Sequence, residues 1–150
     1  MLKNLDPLLN ADVLHALRAM GHGDTLVLSD TNFPSDSVAR QTRIGKLLRI
    51  DASCPRAARA ILSVMPLDSF VKHPALRMEI VGKPKQIPPV QAEVQSEIDH
   101  AEGKSWRMGS IERFAFYDLA RKAYCVIQTG ERRFYGCFAF KKGVIPPDQA

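Results

Sequence analysis

The sequence has only three cysteines and no long apolar run. The first feature argues against disulfide-rich and zinc-binding proteins, and the second against membrane-spanning ones. Cys54, Cys125 and Cys137 are odd in number and lack C-x-x-C spacing. That pattern argues against a disulfide framework or a zinc site and favours reduced, buried thiols. Apolar runs are only a few residues long, whereas a membrane span needs about 20 predominantly apolar residues. The N-terminus has an early acid and a proline where a signal peptide has an apolar stretch. We therefore expect a cytoplasmic protein without a membrane segment.

Charge of one sign is nowhere concentrated, although the total is basic. Lys and Arg number 21 against 16 acids in 150 residues, for a formal charge of +5, so nucleic acid or an anionic substrate deserves a test. Basic clusters are no longer than pairs such as Arg132-Arg133 and Lys141-Lys142, which is typical of a solvated mixed-charge surface. The remaining composition, 45% hydrophobic and 25% charged, predicts one globular domain over residues 1–150.

Internal repeats are absent, and helical and strand patterns alternate along the chain. Apolar periodicity and capping residues predict helices over residues 11–20, 53–65, 90–103 and 112–122. Strand propensity predicts strands at 25–28, 47–51, 76–80, 106–108, 124–127 and 138–140. A polar loop over 29–37 and a proline-bearing connector over 82–89 separate some of them. This order predicts an α/β fold, a three-layer α/β/α sandwich with a mixed, mostly buried sheet.

Two of these elements are predicted to have a solvated face. In the strand over 76–80, Arg77 and Glu79 alternate with apolar residues, which places both in water. In the helix over 90–103, the Glu and Gln residues lie opposite the apolar positions, so we expect them to be solvated as well.

The first segment that can carry chemistry is Gly21-His22-Gly23-Asp24, directly after the first helix. A histidine between two glycines can approach a ligand closely, and its ordinary pKa of about 6.5 suits proton transfer at neutral pH. A solvated turn histidine fits the same spacing equally well. His15, His73 and His100 are interpreted as surface histidines, and no His, Cys or carboxylate spacing predicts a metal site.

A second candidate is Asp30, at the C-terminal end of the first predicted strand. Open α/β sheets bind ligands at this edge, where a carboxylate can accept hydrogen bonds from two adjacent hydroxyls. An aspartate in a loop more often satisfies its own backbone in an Asx-turn. The sequence leaves both interpretations open.

Arginine, tyrosine and phenylalanine recur in two C-terminal segments, residues 112–117 and 129–137. A guanidinium with forked donors and aromatic faces can together hold a polyhydroxylated ring. Phe114 and Phe116 are interpreted as core residues.

The run from Arg133 to Phe140 also imitates the RNP1 strand of RNA-recognition motifs. Phe134 stands where that motif has glycine, and Cys137 replaces an aromatic residue that would stack on a base. RNA binding is therefore the weaker alternative.

In their order and spacing, these segments resemble the family of sugar mutarotases that contains L-fucose mutarotase and D-ribose pyranase. The matching segments are Met20-Gly21-His22-Gly23-Asp24, Ser29-Asp30, Phe33-Pro34, Arg113-Phe114-Ala115-Phe116-Tyr117, Thr129-Gly130-Glu131, Tyr135-Gly136 and Lys141-Lys142-Gly143-Val144. The resemblance covers nearly the whole chain. It implies a three-layer α/β sandwich and interconversion of the α and β anomers of a free monosaccharide without a cofactor. It also implies homo-oligomers, often rings, with sites near subunit boundaries.

The resemblance further implies roles for individual residues. His22 would transfer the proton, and Tyr117 would take part in acid/base chemistry or contact a hydroxyl. Asp30, Arg113 and the segment Tyr135-Gly136-Cys137 would bind the sugar. Ribose-specific members tend to have histidine where this chain has Arg113, which favours L-fucose over pyranose-furanose exchange of a pentose such as ribose.

Cys137 departs from the family, which usually has asparagine after Tyr-Gly. The change is harmless if that position binds through its backbone, and it alters substrate preference if the asparagine amide holds a hydroxyl. The connector over 82–89 also looks longer than usual, with no contact that the sequence can assign. Outside enzymes, the alternative is a non-catalytic sugar- or RNA-binding module.

Overall fold

Six strands alternate with five helices over residues 2–149, which a computed structural model describes. The strands are β1 Thr25–Ser29, β2 Leu47–Ile50, β3 Ala75–Met78, β4 Gly109–Ile111, β5 Cys125–Thr129 and β6 Phe138–Lys141. The helices are α1 Ala11–Ala19, α2 Ser35–Ala39, α3 Cys54–Leu62, α4 Pro89–Glu102 and α5 Arg113–Arg121. A short 3-10 helix follows at Pro147–Gln149.

The strands form one mixed sheet in the order β2-β5-β1-β6-β3-β4. β6 is antiparallel to both of its neighbours, β1 and β3, and every other pair is parallel. Five strands therefore run in one direction and end at the same edge, here called the carboxyl edge, where β6 begins. The opposite edge, where β1 begins and β6 ends, is the amino edge.

Helices cover both faces of the sheet, as the alternation of side chains along β1 shows. Leu26 and Leu28 are fully buried in a cluster with residues of α1, α3 and α4. Val27, between them, packs in a second cluster with residues of α2 and α5. Since successive strand residues point to opposite faces, the two clusters are the two interfaces of a sandwich. The predicted three-layer α/β/α fold with a mostly buried sheet is confirmed.

Two local predictions are confirmed as well, namely the start of the helix predicted over 11–20 and the burial of the three cysteines. Asn10 caps α1, its side chain accepting a hydrogen bond from the Val13 backbone N–H at 3.0 Å. Cys54, Cys125 and Cys137 are free and buried, as expected for small hydrophobic thiols. Over residues 2–149, no helix has the length and apolar character needed to cross a membrane.

Two short elements differ from the prediction. The end of the predicted loop over 29–37 is helical: residues 35–39 form α2, about one turn of helix that buries Val38 and Ala39. Two apolar positions are too few to produce a recognisable helical period. The strand predicted at 106–108 lies instead at Gly109–Ile111, where it pairs with β3. Gly109 has no strand propensity, but a Cβ there would come within 2.9 Å of the His73 and Leu76 side chains, so close packing decides the register.

Two of the polar side chains predicted in water, Arg77 on β3 and Gln91 on α4, are buried. Arg77 is 8% exposed and Gln91 is fully enclosed. The two bond to each other, with 3.2 Å between Arg77 Nη1 and Gln91 Oε1. Hydrogen bonding of this kind compensates for the loss of water, and periodicity alone does not reveal it.

Candidate functional site

A cavity of about 260 Å³ opens at the carboxyl edge of the sheet. Its lining consists of Asp30, Asn32, Phe33, Met78, Arg113, Tyr117, Phe134, Tyr135 and Cys137. Ligand cavities usually measure about 300–1,000 Å³, so this one suits a small molecule. Five of the predicted site residues thus lie together, and Gly136 lies between two of them in the chain. The fold explains this, because Asp30 follows β1, Met78 ends β3 and Cys137 precedes β6.

Asp30 builds the wall of this cavity through both carboxylate oxygens. Oδ1 accepts hydrogen bonds from the backbone N–H groups of Asn32, at 2.9 Å, and Phe33, at 3.0 Å. Oδ2 accepts from the Gly136 N–H at 3.1 Å and lies 3.6 Å from the Cys137 thiol. The Asx-turn interpretation is therefore correct. Of these four donors, only the Cys137 thiol is weak. A ligand hydroxyl can therefore take the place of the thiol at Oδ2, whereas the loss of a backbone N–H contact would disrupt the loop.

Arg113 and Tyr117 form the opposite wall, one helical turn apart on α5. Arg113 Nε donates a hydrogen bond to Tyr117 Oη at 3.3 Å, and the guanidinium carbon lies 5.5 Å from the centre of the Tyr117 ring. The Tyr117 ring meets Phe33 edge-on, with 5.1 Å between ring centres. Because Tyr117 accepts a hydrogen bond from a cation, its own O–H proton is free to point into the cavity and act as a donor.

The phenylalanines of α5 have different environments. Phe116 is fully buried, as predicted, whereas Phe114 is 67% exposed and is not a core residue. Two residues along a helix turn the side chain by about 200°, so both cannot face the core.

The aromatic residues of β6 do not form a platform for bases. Phe138 and Phe140 are both fully buried and pack in the cluster with α1, α3 and α4. RNP1 recognition needs exposed rings on the strand. The structure therefore gives the RNA-binding interpretation no support.

Glu131 holds the segment that carries Tyr135, Gly136 and Cys137. Its carboxylate accepts hydrogen bonds from the backbone N–H and the guanidinium of Arg133, each at 2.9–3.0 Å. The Arg133 hydrogen bonds lower the pKa of the buried Glu131 carboxyl to about 2. Gly136 passes so close that a Cβ would lie 3.0 Å from Glu131 Cγ. A side chain here would push the Glu131 side chain away by a few tenths of an ångström, so glycine is favoured at this position.

His22 does not line the cavity. It precedes β1 at the amino edge, whereas Asp30 follows β1 at the carboxyl edge. Strand residues rise by about 3.3 Å each, so the five residues of β1 place these ends roughly 15 Å apart. Within one chain, the structure brings together the predicted sugar-binding residues and leaves the predicted proton-transfer residue at the other edge.

A carboxylate that sequence reasoning missed, Asp68, orients His22. His22 Nε2 lies 3.0 Å from Asp68 Oδ1, which also accepts a hydrogen bond from the Phe70 backbone N–H at 3.0 Å. Burial raises the pKa of Asp68, but the hydrogen bonds from Phe70 and His22 outweigh it and hold that pKa below its ordinary value. An ionised carboxylate selects the tautomer that donates from Nε2, which leaves Nδ1 as the free base on a ring that is 45% exposed.

The loop that carries His22 is tied to the end of β6. Lys142 Nζ donates hydrogen bonds to the carbonyl oxygens of Leu17 and Met20 at the end of α1, at 2.7 and 2.6 Å. The Lys142 backbone also bonds to Gly23 and Asp24, the two residues that follow His22. These contacts satisfy the carbonyl groups at the helix end and fix the position of the histidine.

A cavity at the carboxyl edge of a mostly parallel sheet, lined by a guanidinium, a carboxylate and aromatic rings, defines an α/β protein that binds a small polar ligand. The chain belongs to the RbsD / FucU transport protein family, whose model matches residues 3–145. The resemblance found in the sequence is thereby confirmed.

Individual relatives match over nearly their whole length. Fucose mutarotase of Bos taurus is 40% identical over 98% of this chain and 96% of its own. The crystal structure of protein Atu2016 is 70% identical over 97% of each chain and superposes with a TM-score of 0.95. The structure of fucose mutarotase from Streptococcus pneumoniae in complex with L-fucose is 34% identical, covers 97% of this chain and 100% of its own, and has a TM-score of 0.86.

Proposed function

We propose that this protein is a sugar mutarotase, an isomerase that interconverts the α and β anomers of a free monosaccharide, with L-fucose as the leading substrate. The observation that carries the proposal is the cavity in which Arg113, Tyr117, Tyr135 and Asp30 converge. Its support is the match over nearly full length to proteins named fucose mutarotase, one of them solved with L-fucose. Arg113 favours fucose over ribose, as the family pattern implies.

The chemistry needs a base and an acid at the anomeric centre. His22 Nδ1 takes the proton of the anomeric hydroxyl while the ring oxygen receives a proton from Tyr117, and the ring opens to the aldehyde. Rotation about the bond to the aldehyde carbon and reclosure, with the two proton transfers reversed, give the other anomer. Arg113 stabilises the transient Tyr117 phenolate through the hydrogen bond at Oη. Positioned acid/base catalysis gives about 10²- to 10⁴-fold acceleration, and the proposed route uses no cofactor.

The binding residues divide into side-chain and backbone contacts. Asp30 Oδ2 accepts one sugar hydroxyl in place of the Cys137 thiol, and Arg113 donates to another. Tyr135 and Gly136 offer their ring and backbone. Since the Cys137 side chain is buried against Asp30, that position contacts the sugar through its main chain, and the family asparagine is not needed for the fold of the loop.

Two copies of the chain are needed to build this site, because His22 and the cavity lie at opposite edges of one sheet. Beside His22, Phe70 is 73% exposed, and at the cavity Phe114 and Phe134 are exposed as well. Exposed aromatic residues at both edges are typical of association surfaces. Docking the amino edge of one copy on the carboxyl edge of the next is a head-to-tail contact, which closes into a ring when the rotation allows. The proposed protein is therefore a homo-oligomer.

The cytoplasm is the proposed location. Burial raises the pKa of Cys54 and of Cys125 to about 12, so neither thiol is reactive. Unpaired, unreactive thiols fit a reducing compartment.

The test is saturation-transfer NMR, which reads anomer exchange directly, on L-fucose, D-galactose and D-ribose. The wild-type protein should accelerate exchange of L-fucose most, and His22→Ala should lose the acceleration while still binding the sugar. Acceleration of ribose alone would reassign the substrate. A folded wild-type protein that accelerates none of the three would contradict the proposed function.

A further inference from the structure

Tyr135 has an unusual backbone at the wall of the cavity. Its φ is +62°, in the left-handed region that residues with a Cβ enter only at an energetic cost. Such a conformation persists when the surroundings hold it in place. The contacts that hold Tyr135 therefore decide the shape of the cavity on this side.

Gln91 supplies the main contact. Its side-chain Nε2 donates hydrogen bonds to the Tyr135 carbonyl oxygen at 3.0 Å and to the Met78 carbonyl oxygen at 2.8 Å. Gln91 lies in the first turn of α4 and is fully buried. One amide group thus ties the segment that precedes β6 to the end of β3, at two residues that line the cavity.

Arg77 determines which way the Gln91 amide points. Arg77 Nη1 donates to Gln91 Oε1, which leaves the NH₂ group, and not the oxygen, to face the two carbonyls. Arg77 Nη2 donates to the Pro84 carbonyl oxygen at 3.0 Å. Within residues 2–149, Arg77 forms no ion pair with a carboxylate. The guanidinium is therefore held by neutral acceptors, and its role is to fix the orientation of the Gln91 amide.

The same network reaches the connector over 82–89. Pro84 lies in that segment, and the backbone N–H of Val81, just before it, donates to Tyr135 Oη at 3.3 Å. Val81 thus holds the hydroxyl of the Tyr135 ring, while Gln91 holds the Tyr135 main chain. The main chain and the hydroxyl of Tyr135 are therefore both held by residues that do not themselves line the cavity.

We propose that Gln91, oriented by Arg77, is a positioning residue that maintains the left-handed backbone of Tyr135 and thereby sets the affinity of the cavity for its sugar. The inference deepens the proposed function and rests on it for the identity of the ligand. Gln91 acts through Tyr135 and touches no substrate, so its effect falls on ground-state binding, which appears in KM more than in kcat.

The test replaces Gln91 with glutamate and compares it with Gln86→Glu. The carboxylate keeps the acceptor for Arg77 but repels the two carbonyls that the amide binds. Gln86 is exposed on the connector and forms no side-chain hydrogen bond in the described structure, so Gln86→Glu makes the same chemical change without touching the network. We expect Gln91→Glu to raise KM and the calorimetric Kd for L-fucose by about tenfold, the order of one lost buried hydrogen bond. Gln86→Glu should leave both unchanged.

A readout that needs no sugar is the backbone chemical shifts of Tyr135 and Gly136, which report φ. They should move in Gln91→Glu and stay in place in Gln86→Glu. If Gln91→Glu does not fold, Gln91→Met replaces it, because methionine has a similar volume and removes the donors without adding charge. Unchanged Tyr135 shifts, or an unchanged Kd, in a folded variant would overturn the inference. A wild-type protein that binds the sugar but does not speed anomer exchange would contradict only the proposed function.

Discussion

His22 has one free ring nitrogen because the buried Asp68 carboxylate occupies the other. We predict that Asp68→Asn lowers kcat by about tenfold or more, a sizeable part of the whole acid/base contribution, with little change in KM. An uncharged amide no longer stabilises the imidazolium that forms when Nδ1 takes a proton. The measurement is the rate of L-fucose anomer exchange across a range of pH. The loss of kcat should be largest in the pH range where the wild-type kcat is highest and no longer changes with pH.

The matched control for this change is Asp118→Asn. Asp118 is an exposed aspartate that pairs with Arg121 on the surface of α5, and its loss should leave kcat unchanged. Equal rates for Asp68→Asn and wild type would show that the contact between His22 and Asp68 has no part in the mechanism.

At the same scale, local composition marks the segments around Asp30, Arg113 and Tyr135 as able to hold a ligand, and the resemblance to the family is what implies that these three residues bind the sugar. Asp68 and Gln91 cannot be found this way. Asp68 lies 46 residues from its partner, and Gln91 occupies a helix position where glutamine is usually solvated. Only tertiary packing brings these side chains to their partners.

At the scale of elements, the loop between β5 and β6 depends on charge, because the Glu131 carboxylate fastens it through Arg133. A folded-state pKa of about 2 against the ordinary 4.5 corresponds to about 3 kcal/mol of stabilisation at neutral pH. The folded-state pKa is depressed, so this contribution is complete above pH 4.5 and is lost as pH falls from about 4.5 toward 2.

We predict that Glu131→Gln lowers the free energy of unfolding by about 2–3 kcal/mol at pH 7. Urea unfolding of both proteins between pH 7 and pH 3 measures the difference. The gap should shrink with falling pH, since the wild-type carboxylate becomes protonated as well. A gap that stays constant from pH 7 to pH 3 would show that the ion pair with Arg133 does not stabilise the fold.

Elements with many periodic positions are predicted within a few residues, as α1 and α5 show. The exceptions are α2, which has too few residues for a period, and β4, whose position depends on a glycine packed against β3. Both depend on contacts between elements that are distant in the chain. The prediction for long elements depends on local pattern alone, which explains why it succeeds.

For the whole molecule, the arrangement of layers can be predicted from the sequence. The separation of His22 from the cavity residues can be predicted only in part. The alternation of helices and strands indicates a sandwich. The sequence does contain a sign that His22 and Asp30 lie apart, since one precedes and the other follows the same strand. It contains no sign of the proposed contact with a second copy, because nothing in apolar periodicity marks a subunit contact.

The most direct test of a mutarotase site shared between copies is to measure L-fucose anomer exchange by a mixed oligomer. One variant is His22→Ala, and the other combines Arg113→Ala with Tyr117→Phe. Each alone should be inactive. Co-expressed in equal amounts, they should recover about a quarter of the wild-type rate, because one in about four head-to-tail contacts then joins an intact His22 to an intact cavity. If the wild-type protein is active but the mixed oligomer recovers no activity, that result would contradict a site built from two copies.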